Sequence, residues 1–149
     1  MGVKRASRPN VSPISNAYSI TQMKPAQQEE FLLFAHALFP RSRIQIRESD
    51  EVHLAYGKAG LAGFVHLRPM QNDLYLQAIG VLPSMRRRGL GRALMELAMR
   101  RSILHGFPGG LTLKVRTSNA EALSFYRARG FLLERQNLST TRLRWRELN

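Results

Sequence analysis

Hydrophobic residues recur along this chain with the two spacings that distinguish strands from helices. Between Ala17 and Met23 they alternate with polar residues, which is typical of a strand, and Pro25 then occupies a position favoured at the start of a helix. The core-facing side of that helix should be formed by apolar residues with the spacing i, i+3, i+4, i+7, namely Phe31, Phe34, Ala35 and Leu38. Pro40 ends the helix. We therefore predict a strand followed by an amphipathic helix.

Three runs of strand-forming residues come next, after a polar segment over 41–50 that fits either a short helix or a loop. They are separated by Gly57-Lys58-Ala59-Gly60 and by Pro69 to Asp73, which are typical turn sequences. Because short connections join antiparallel neighbours, we predict a three-stranded meander over Val52–Tyr56, Leu61–Leu67 and Leu74–Val81.

Helices and strands alternate in the C-terminal half. One helix begins at Leu90 and ends near Gly106, with an apolar face formed by Leu90, Leu94, Leu97, Ala98 and Leu104. Another begins with the capping box of Ser118 and Glu121 and ends at Gly130. The predicted strands here are Leu111–Val115, Phe131–Glu134 and Arg142–Leu148.

The last strand has arginines on one face and apolar residues on the other: Arg142, Arg144 and Arg146 against Leu143 and Trp145. Cationic side chains on this final strand should discourage pairing at a sheet edge. The order of elements predicts an α+β protein with a mixed, mostly antiparallel sheet of about seven strands. We expect a single domain over 16–149, preceded by a basic arm rich in proline and serine over 1–15.

The composition fits one ordinary domain, since 44% of the 149 residues are apolar. The absence of cysteine excludes a disulfide scaffold, a cysteine-based zinc site and a cysteine nucleophile. The longest apolar stretch, Phe31 to Phe39, is far shorter than the roughly twenty residues of a membrane-spanning helix. No apolar signal sequence follows the N-terminal basic residues, so we expect a cytoplasmic protein with no membrane partner.

Positive charge is concentrated toward the C-terminus. The chain has 23 lysines and arginines against 10 acidic residues, a formal net charge of +13. Within it, 84–149 contains 14 basic and 4 acidic residues, whereas 16–83 contains six of each. We therefore expect an anion to dock on the C-terminal half.

The segment Arg86-Arg87-Arg88-Gly89-Leu90-Gly91-Arg92 lies between a predicted strand and a predicted helix. A helix start leaves backbone N–H groups unpaired, the helix dipole and the arginines add positive potential, and the glycines let an anion approach the backbone. A G-x-G pair alone is more often an ordinary loop. Leu94 and the lack of a Gly-Lys-Ser/Thr sequence exclude the Rossmann and P-loop motifs, so we predict a phosphate site of another kind.

Together with its surroundings this loop resembles the GNAT superfamily of acetyl-CoA-dependent N-acetyltransferases, and most of all the ribosomal-protein alanine acetyltransferase type. The resemblance rests on the loop, on Ile79-Gly80-Val81-Leu82-Pro83, on Leu111-Thr112-Leu113-Lys114-Val115-Arg116, and on Asn119, Ala122, Phe125, Tyr126, Gly130 and Phe131. It implies a three-layer α/β/α fold. It also implies transfer of acetyl from acetyl-CoA to a primary amine, by direct attack in a ternary complex and without a metal.

The resemblance also assigns residues. The strand end at Ile79, Gly80 and Val81 is expected to bind the pantetheine arm of the cofactor, and the loop its diphosphate. The cofactor-binding residues are then Ile79, Gly80, Val81, Arg86, Arg87, Arg88, Gly89, Leu90, Gly91, Arg92, Asn119 and Tyr126. A free N–H at the strand end would serve the oxyanion of the tetrahedral intermediate.

Tyr126 is the predicted catalytic residue. The thiolate that leaves the thioester needs a proton, and a phenol of pKa about 10 can supply it to a thiolate whose conjugate acid lies near 8.5 or above. The alternative, that Tyr126 packs beside Phe125 as an ordinary helix residue, stays open at this point.

The base that deprotonates the amine is not identified by the sequence. The alanine acetyltransferase type has a glutamate where this chain has Lys114, and a charged lysine cannot accept that proton. Other branches of the superfamily have a carboxylate or histidine at the positions of Tyr75 and Gln77, neither of which is a strong base here, so the candidates are a water chain or one of Glu48, Asp50, Glu51 and His66.

Two classes of function remain in view. The acceptor is a protein or small-molecule amine, with a protein or peptide favoured because the single acidic cluster for a polycation is Glu48, Asp50 and Glu51. The rival is a catalytically silent basic module that binds RNA or ribosomes through the arm and the last strand, although RNA-binding signatures are missing. A homodimer stays open.

Overall fold

The computed structural model describes residues 17–147, and the predicted arm over 1–15 lies outside them. The strands are β1 (Ser19–Gln22), β2 (Glu51–Gly57), β3 (Gly60–Pro69), β4 (Leu74–Val81), β5 (Leu111–Arg116), β6 (Leu132–Gln136) and β7 (Thr140–Trp145). The α-helices in this range are α1 (Gln28–Leu38), α2 (Leu90–Leu104) and α3 (Ala120–Ala128). Short 3-10 helices cover Pro25–Gln27 and Pro83–Met85. Across the described residues, no helix has the length and apolar character needed to cross a membrane.

The strands form one sheet in the order β1-β2-β3-β4-β5-β7-β6. The pair β4–β5 is parallel, whereas β1–β2, β5–β7 and β6–β7 are antiparallel. The predicted α+β class with a mixed, mostly antiparallel sheet of about seven strands is therefore confirmed.

The chain divides into two compact units, the first comprising 17–66 and 78–96 of the described residues, the second 67–77 and 97–147. In the first unit, Phe31 of α1 is fully buried and its ring meets that of Phe64 edge to face, with centroids 4.9 Å apart. The other buried members of this cluster are Ala35, Val52, Leu54 and Leu61. The predicted core-facing side of α1 is thus confirmed, and Phe39, just before Pro40, caps the helix.

Two glycines fix how closely β3, β4 and α2 pack in the first unit. A Cβ added at Gly63 would lie 2.9 Å from the carbonyl oxygen of Gly80 and 3.1 Å from Leu90. A Cβ added at Gly80 would lie 2.7 Å from the ring of Phe64. A side chain at Gly63 would meet backbone that cannot give way, whereas one at Gly80 would require the side chains around it to shift.

The second unit is built on β5, β7 and β6. Leu111, Leu113 and Leu143 have at most 1% of their surface exposed, because alternate residues of β5 and β7 face the interior. Helix α3 ends in a Schellman motif: the Phe131 N–H bonds to the Tyr126 carbonyl and Gly130 has a φ of 97°. The predicted helix end at Gly130 is confirmed.

Three expectations about elements are wrong. Asn119, and not Ser118, caps α3, because its side chain accepts the Ala122 N–H at 3.1 Å. The last strand, β7, begins at Thr140 and lies between β5 and β6, so its arginines are not on an edge strand of the sheet. The edge strand is β6 instead. Leu104, assigned to the buried face of α2, is 74% exposed because the helix ends there.

Candidate active site

Helix α2 begins directly after the arginine- and glycine-rich loop, in the first unit. Its first turn is closed by the Ala93 N–H, which donates to the Gly89 carbonyl at 3.0 Å. The N–H groups of Gly89, Leu90, Gly91 and Arg92 therefore have no acceptor within the helix. Nor does any backbone carbonyl elsewhere in residues 17–147 accept from them. The start of α2 is a set of four free donors at the positive end of a helix dipole.

The loop before α2 has a left-handed backbone at two positions. Arg87 has a φ of 64° and Gly89 a φ of 89°. Left-handed residues turn successive N–H groups toward one side of a loop, which is how backbone anion sites are built. Glycine adopts this conformation freely, but at Arg87 it costs about 1–2 kcal/mol. Arg87 is the one residue other than glycine with a positive φ in the described chain, and it lies in the predicted phosphate loop.

The arginines of the loop surround these donors with positive charge. Arg86, Arg87, Arg88 and Arg92 are all exposed. The Nε of Arg86 also donates to the carbonyl of Val81 at 3.1 Å, which ties the loop to the end of β4. Leu90, by contrast, buries its side chain, so that only its backbone N–H is available to a ligand.

Strand β4 is paired with β5 over only two residues. The register pairs are Leu74 with Leu111 and Tyr75 with Thr112, whereas β4 continues to Val81. From Leu76 onward the backbone of β4 therefore has no strand in register on that side. The half-buried Ile79 and Val81 lie on this stretch, while Gly80 is fixed by its packing against Phe64.

Asn119 and Tyr126 lie in the second unit, on α3. The Oδ1 of the exposed Asn119 is already engaged as the helix cap, which leaves its amide group as the donor. Tyr126 is 7% exposed, between the rings of Phe125 and Phe131 at centroid distances of 5.3 and 5.5 Å. Burial raises the pKa of its phenol to about 12.

The carboxylates and histidines considered as bases are largely bonded to one another. His66 and Asp50 form an ion pair of 2.8 Å whose side chains are 1% and 0% exposed. Glu51 and His53 form another at 3.1 Å, with about a tenth of each side chain exposed. Among these candidates, His66 and Asp50 are closed to an external amine. No group of three His, Asp or Glu side chains in residues 17–147 is arranged to hold a metal.

A polar network in the second unit was not foreseen from the sequence. Asp73 accepts hydrogen bonds from the Thr112 hydroxyl at 2.5 Å and from Arg142 at 3.1 Å. Glu134 accepts from the Nε atoms of Arg142 and Arg144, each at 2.7 Å. The alternation of arginines along β7 signals a shared face, but nothing local identifies Asp73 or Glu134 as their partners.

The sequence profile of the Acetyltransferase (GNAT) family matches residues 14–131. The search of curated protein sequences gives no significant match.

Several solved acetyltransferase structures are similar in fold. The ribosomal-protein-S18-alanine N-acetyltransferase of Escherichia coli is 21% identical, with 85% of this chain and 91% of that chain covered and a TM-score of 0.68. Nourseothricin acetyltransferase is 25% identical, with coverage of 85% and 95% and a TM-score of 0.64. Arabidopsis thaliana NAA60, solved with acetyl-CoA, is 16% identical, with coverage of 86% and 97% and a TM-score of 0.72.

The profile spans most of the chain, and the fold has the element order that the sequence resemblance implied. The chain therefore belongs to the acetyltransferase (GNAT) family and is an acetyl-CoA-dependent N-acetyltransferase.

Proposed function

We propose that this enzyme holds acetyl-CoA by its diphosphate at the start of α2 and transfers the acetyl group to a primary amine in a ternary complex. The observation that supports this most is the set of four unpaired N–H groups over Gly89 to Arg92, next to two left-handed residues. A diphosphate supplies the acceptors that these donors lack, and the exposed arginines add charge-assisted contacts.

The remaining cofactor contacts follow from β4. The stretch Ile79 to Val81 has backbone groups without a strand on one side, and the pantetheine arm carries amides that can pair with them. A free N–H of this stretch also stabilises the oxyanion formed when the amine attacks the thioester carbonyl. Asn119 contributes its side-chain amide to the cofactor.

Tyr126 stabilises the leaving thiolate. As the C–S bond breaks, the phenol donates a hydrogen bond to the sulfur and then its proton, which solvent replaces. Its pKa of about 12 lies above the about 8.5 of a thiol, so complete transfer is uphill by roughly 5 kcal/mol. The hydrogen bond to the developing thiolate is therefore the larger part of the contribution.

The attacking amine arrives as an ammonium ion and loses its proton before it attacks. At pH 7 an amine of pKa about 10.4 is neutral roughly once in a few thousand, equivalent to about 4–5 kcal/mol. Lys114 cannot accept that proton while it is charged. We therefore propose that a water molecule accepts the proton from the amine.

Binding of acetyl-CoA by the loop is tested with two matched glycine substitutions. Gly89→Ala and Gly106→Ala both place a side chain at a left-handed position, since φ is 89° and 73° respectively, and nothing lies within 4 Å of a Cβ at Gly106. Both variants should lose about 1 kcal/mol of stability. Only Gly89→Ala should weaken acetyl-CoA binding, by about tenfold or more, in isothermal titration calorimetry.

Gly106→Ala is the control because it lies beyond the far end of α2. Equal affinities for the two variants would remove the loop from the cofactor site. A wild-type enzyme that binds no acetyl-CoA at millimolar concentration would remove the proposed function itself.

A further inference from the structure

A small pocket on the second unit is lined by three cations and two uncharged polar residues. It has a volume of about 120 Å³ and is formed by Lys114, Arg135, Asn137, Thr140 and Arg142. The Oδ1 of Asn137 is occupied by the N–H groups of Ser139 and Thr140, so its free atoms are the amide hydrogens. No acidic side chain lines the pocket.

The three cations of the pocket lie in a row across three strands. Arg142 of β7 is in register with Lys114 of β5 on one side and with Arg135 of β6 on the other. Like charges at directly opposed positions of a sheet repel one another. Such a row is unfavourable unless something neutralises it.

Only the central cation of the row is neutralised by the protein. Arg142 bonds to Asp73 at 3.1 Å and to Glu134 at 2.7 Å. For Lys114 and Arg135, residues 17–147 offer no carboxylate within ion-pair distance. In the pocket, Lys114 and Arg135 are therefore exposed cations without a carboxylate partner, and they lie on either side of Arg142, which two carboxylates hold in place.

The position of Lys114 connects this pocket with the reaction. Lys114 lies two residues beyond Thr112, where the register between β4 and β5 ends. The proposed function puts the sulfur of the thioester beside Tyr126, which belongs to the same unit as the pocket. A polycationic acceptor would need acidic side chains to bind to. Two of those in the acidic cluster are already engaged within the protein, since Asp50 is paired with the buried His66 and Glu51 with His53.

We propose that this pocket binds a carboxylate or phosphate group of the acceptor, so that the substrates are anionic amines. This inference rests on the proposed function. Lys114 and Arg135 make charge-assisted contacts to the anion, while Arg142 and the amide of Asn137 orient it. Each contact to a charged group is worth about tenfold or more in affinity.

The test compares amines that differ in one charge. O-phosphoethanolamine is compared with ethanolamine, β-alanine with β-alaninamide, and a short peptide with an acidic second residue with its amide counterpart. Release of CoA thiol from acetyl-CoA is measured for each. In at least one pair, the anionic amine should have a kcat/KM about tenfold or more above that of its neutral partner. Which pair shows this effect tells whether the pocket binds a phosphate or a carboxylate, and whether the acceptor is a small molecule or a peptide.

Three variants test the residues. Lys114→Gln and Arg135→Gln should each raise the KM for the anionic amine about tenfold and leave that for acetyl-CoA unchanged. Lys114→Glu should reverse the preference and favour a diamine such as putrescine. Arg100→Gln, which removes an exposed cation on α2 outside the pocket, should change neither.

Direct binding provides a readout independent of turnover. Inorganic phosphate added to the full-length protein with CoA present should shift the amide NMR signals of 135–142, and less so in Lys114→Gln. If acetyl-CoA binds but phosphate leaves these signals unchanged, or neutral and anionic amines react equally well, the anion pocket is refuted and the proposed function stands. Failure to bind acetyl-CoA refutes the proposed function instead.

Discussion

Tyr126 shows how the surroundings of a residue change its chemistry. Its phenol, between the rings of Phe125 on α3 and of Phe131 just after that helix, has a pKa of about 12 because burial disfavours the charged form. The hydroxyl has no hydrogen-bond partner within the described chain. It is therefore neutral, and available as a donor, at every pH at which the enzyme works.

The expected effect of Tyr126→Phe is a kcat roughly 100-fold lower with an unchanged affinity for acetyl-CoA, because the lost hydroxyl acts on the developing thiolate. Since the phenol loses its proton only near pH 12, the wild-type kcat/KM should rise with pH from 7 to 9 as the amine deprotonates, with no decline due to Tyr126. Steady-state kinetics over this range measure both effects.

Tyr18→Phe is a suitable control, because it removes another buried tyrosine hydroxyl that has no part in the proposed mechanism. Weakened cofactor binding with an intact kcat in Tyr126→Phe would contradict the assigned role.

Among the elements, the hairpin of β6 and β7 is stabilised by a carboxylate that bonds to two arginines of β7. The register shifts between Leu133 and Arg135, so Glu134 is an extra residue in β6. There it accepts hydrogen bonds from Arg144 and Arg142, and these bonds lower its pKa. A lowered pKa means that the stabilisation is present at neutral pH and is lost as the pH falls below about 4.5.

Glu134→Gln should reduce the free energy of unfolding at pH 7 by about 1 kcal/mol, because the ion pairs are partly exposed. At pH 3.5 the difference from the wild type should shrink, since Glu134 of the unfolded chain is then largely protonated, whereas the folded carboxylate, with its lowered pKa, resists protonation. Urea denaturation at the two pH values provides the measurement. Glu147→Gln, an exposed acid after β7, should have little effect, and a pH-independent loss in Glu134→Gln would indicate a packing role.

Over residues 17–147 the sequence predicted the α-helices and strands to within a few residues, mostly from regular apolar faces. Strands β1 and β6 are exceptions, since none of their residues is buried. The sequence could not choose between Ser118 and Asn119 as the cap of α3, since both residue types cap helices and the choice depends on which side chain reaches Ala122. The loop proposed to bind phosphate could be picked out from the sequence because all of its parts are adjacent along the chain. The proposed anion pocket could not be found in this way, since Lys114, Arg135 and Arg142 are far apart in sequence and are brought together by the pairing of their strands.

At the scale of the whole molecule, the positive charge of 84–149 is divided among different tasks. Part of it surrounds the free N–H groups of Gly89 to Arg92, and part forms the pocket around Lys114. Arg142 and Arg144 instead satisfy carboxylates within the sheet. The sequence predicted the first use, whereas net charge alone could not separate the other two.

Acetyl-CoA should therefore raise the thermal midpoint of the protein by several degrees. At a concentration about 100 times its Kd, a ligand that binds only the folded state adds about 2.7 kcal/mol to the free energy of unfolding. Acetyl-pantetheine, which has the thioester but no diphosphate, should give a much smaller shift in differential scanning fluorimetry. Equal shifts for the two ligands would place the binding energy in the pantetheine arm and away from the loop.

The short register between β4 and β5 has a consequence for which acetyl donors this enzyme can use. Because β4 stops pairing with β5 after Tyr75, an extended chain of amides could take the place of the missing neighbour, as a peptide does when it adds to the border of a sheet. Under the proposed function, the pantetheine arm of the donor would complete the sheet for the duration of one turnover. Compact activated acetates such as acetyl phosphate have no amides to offer and would leave those hydrogen bonds unmade.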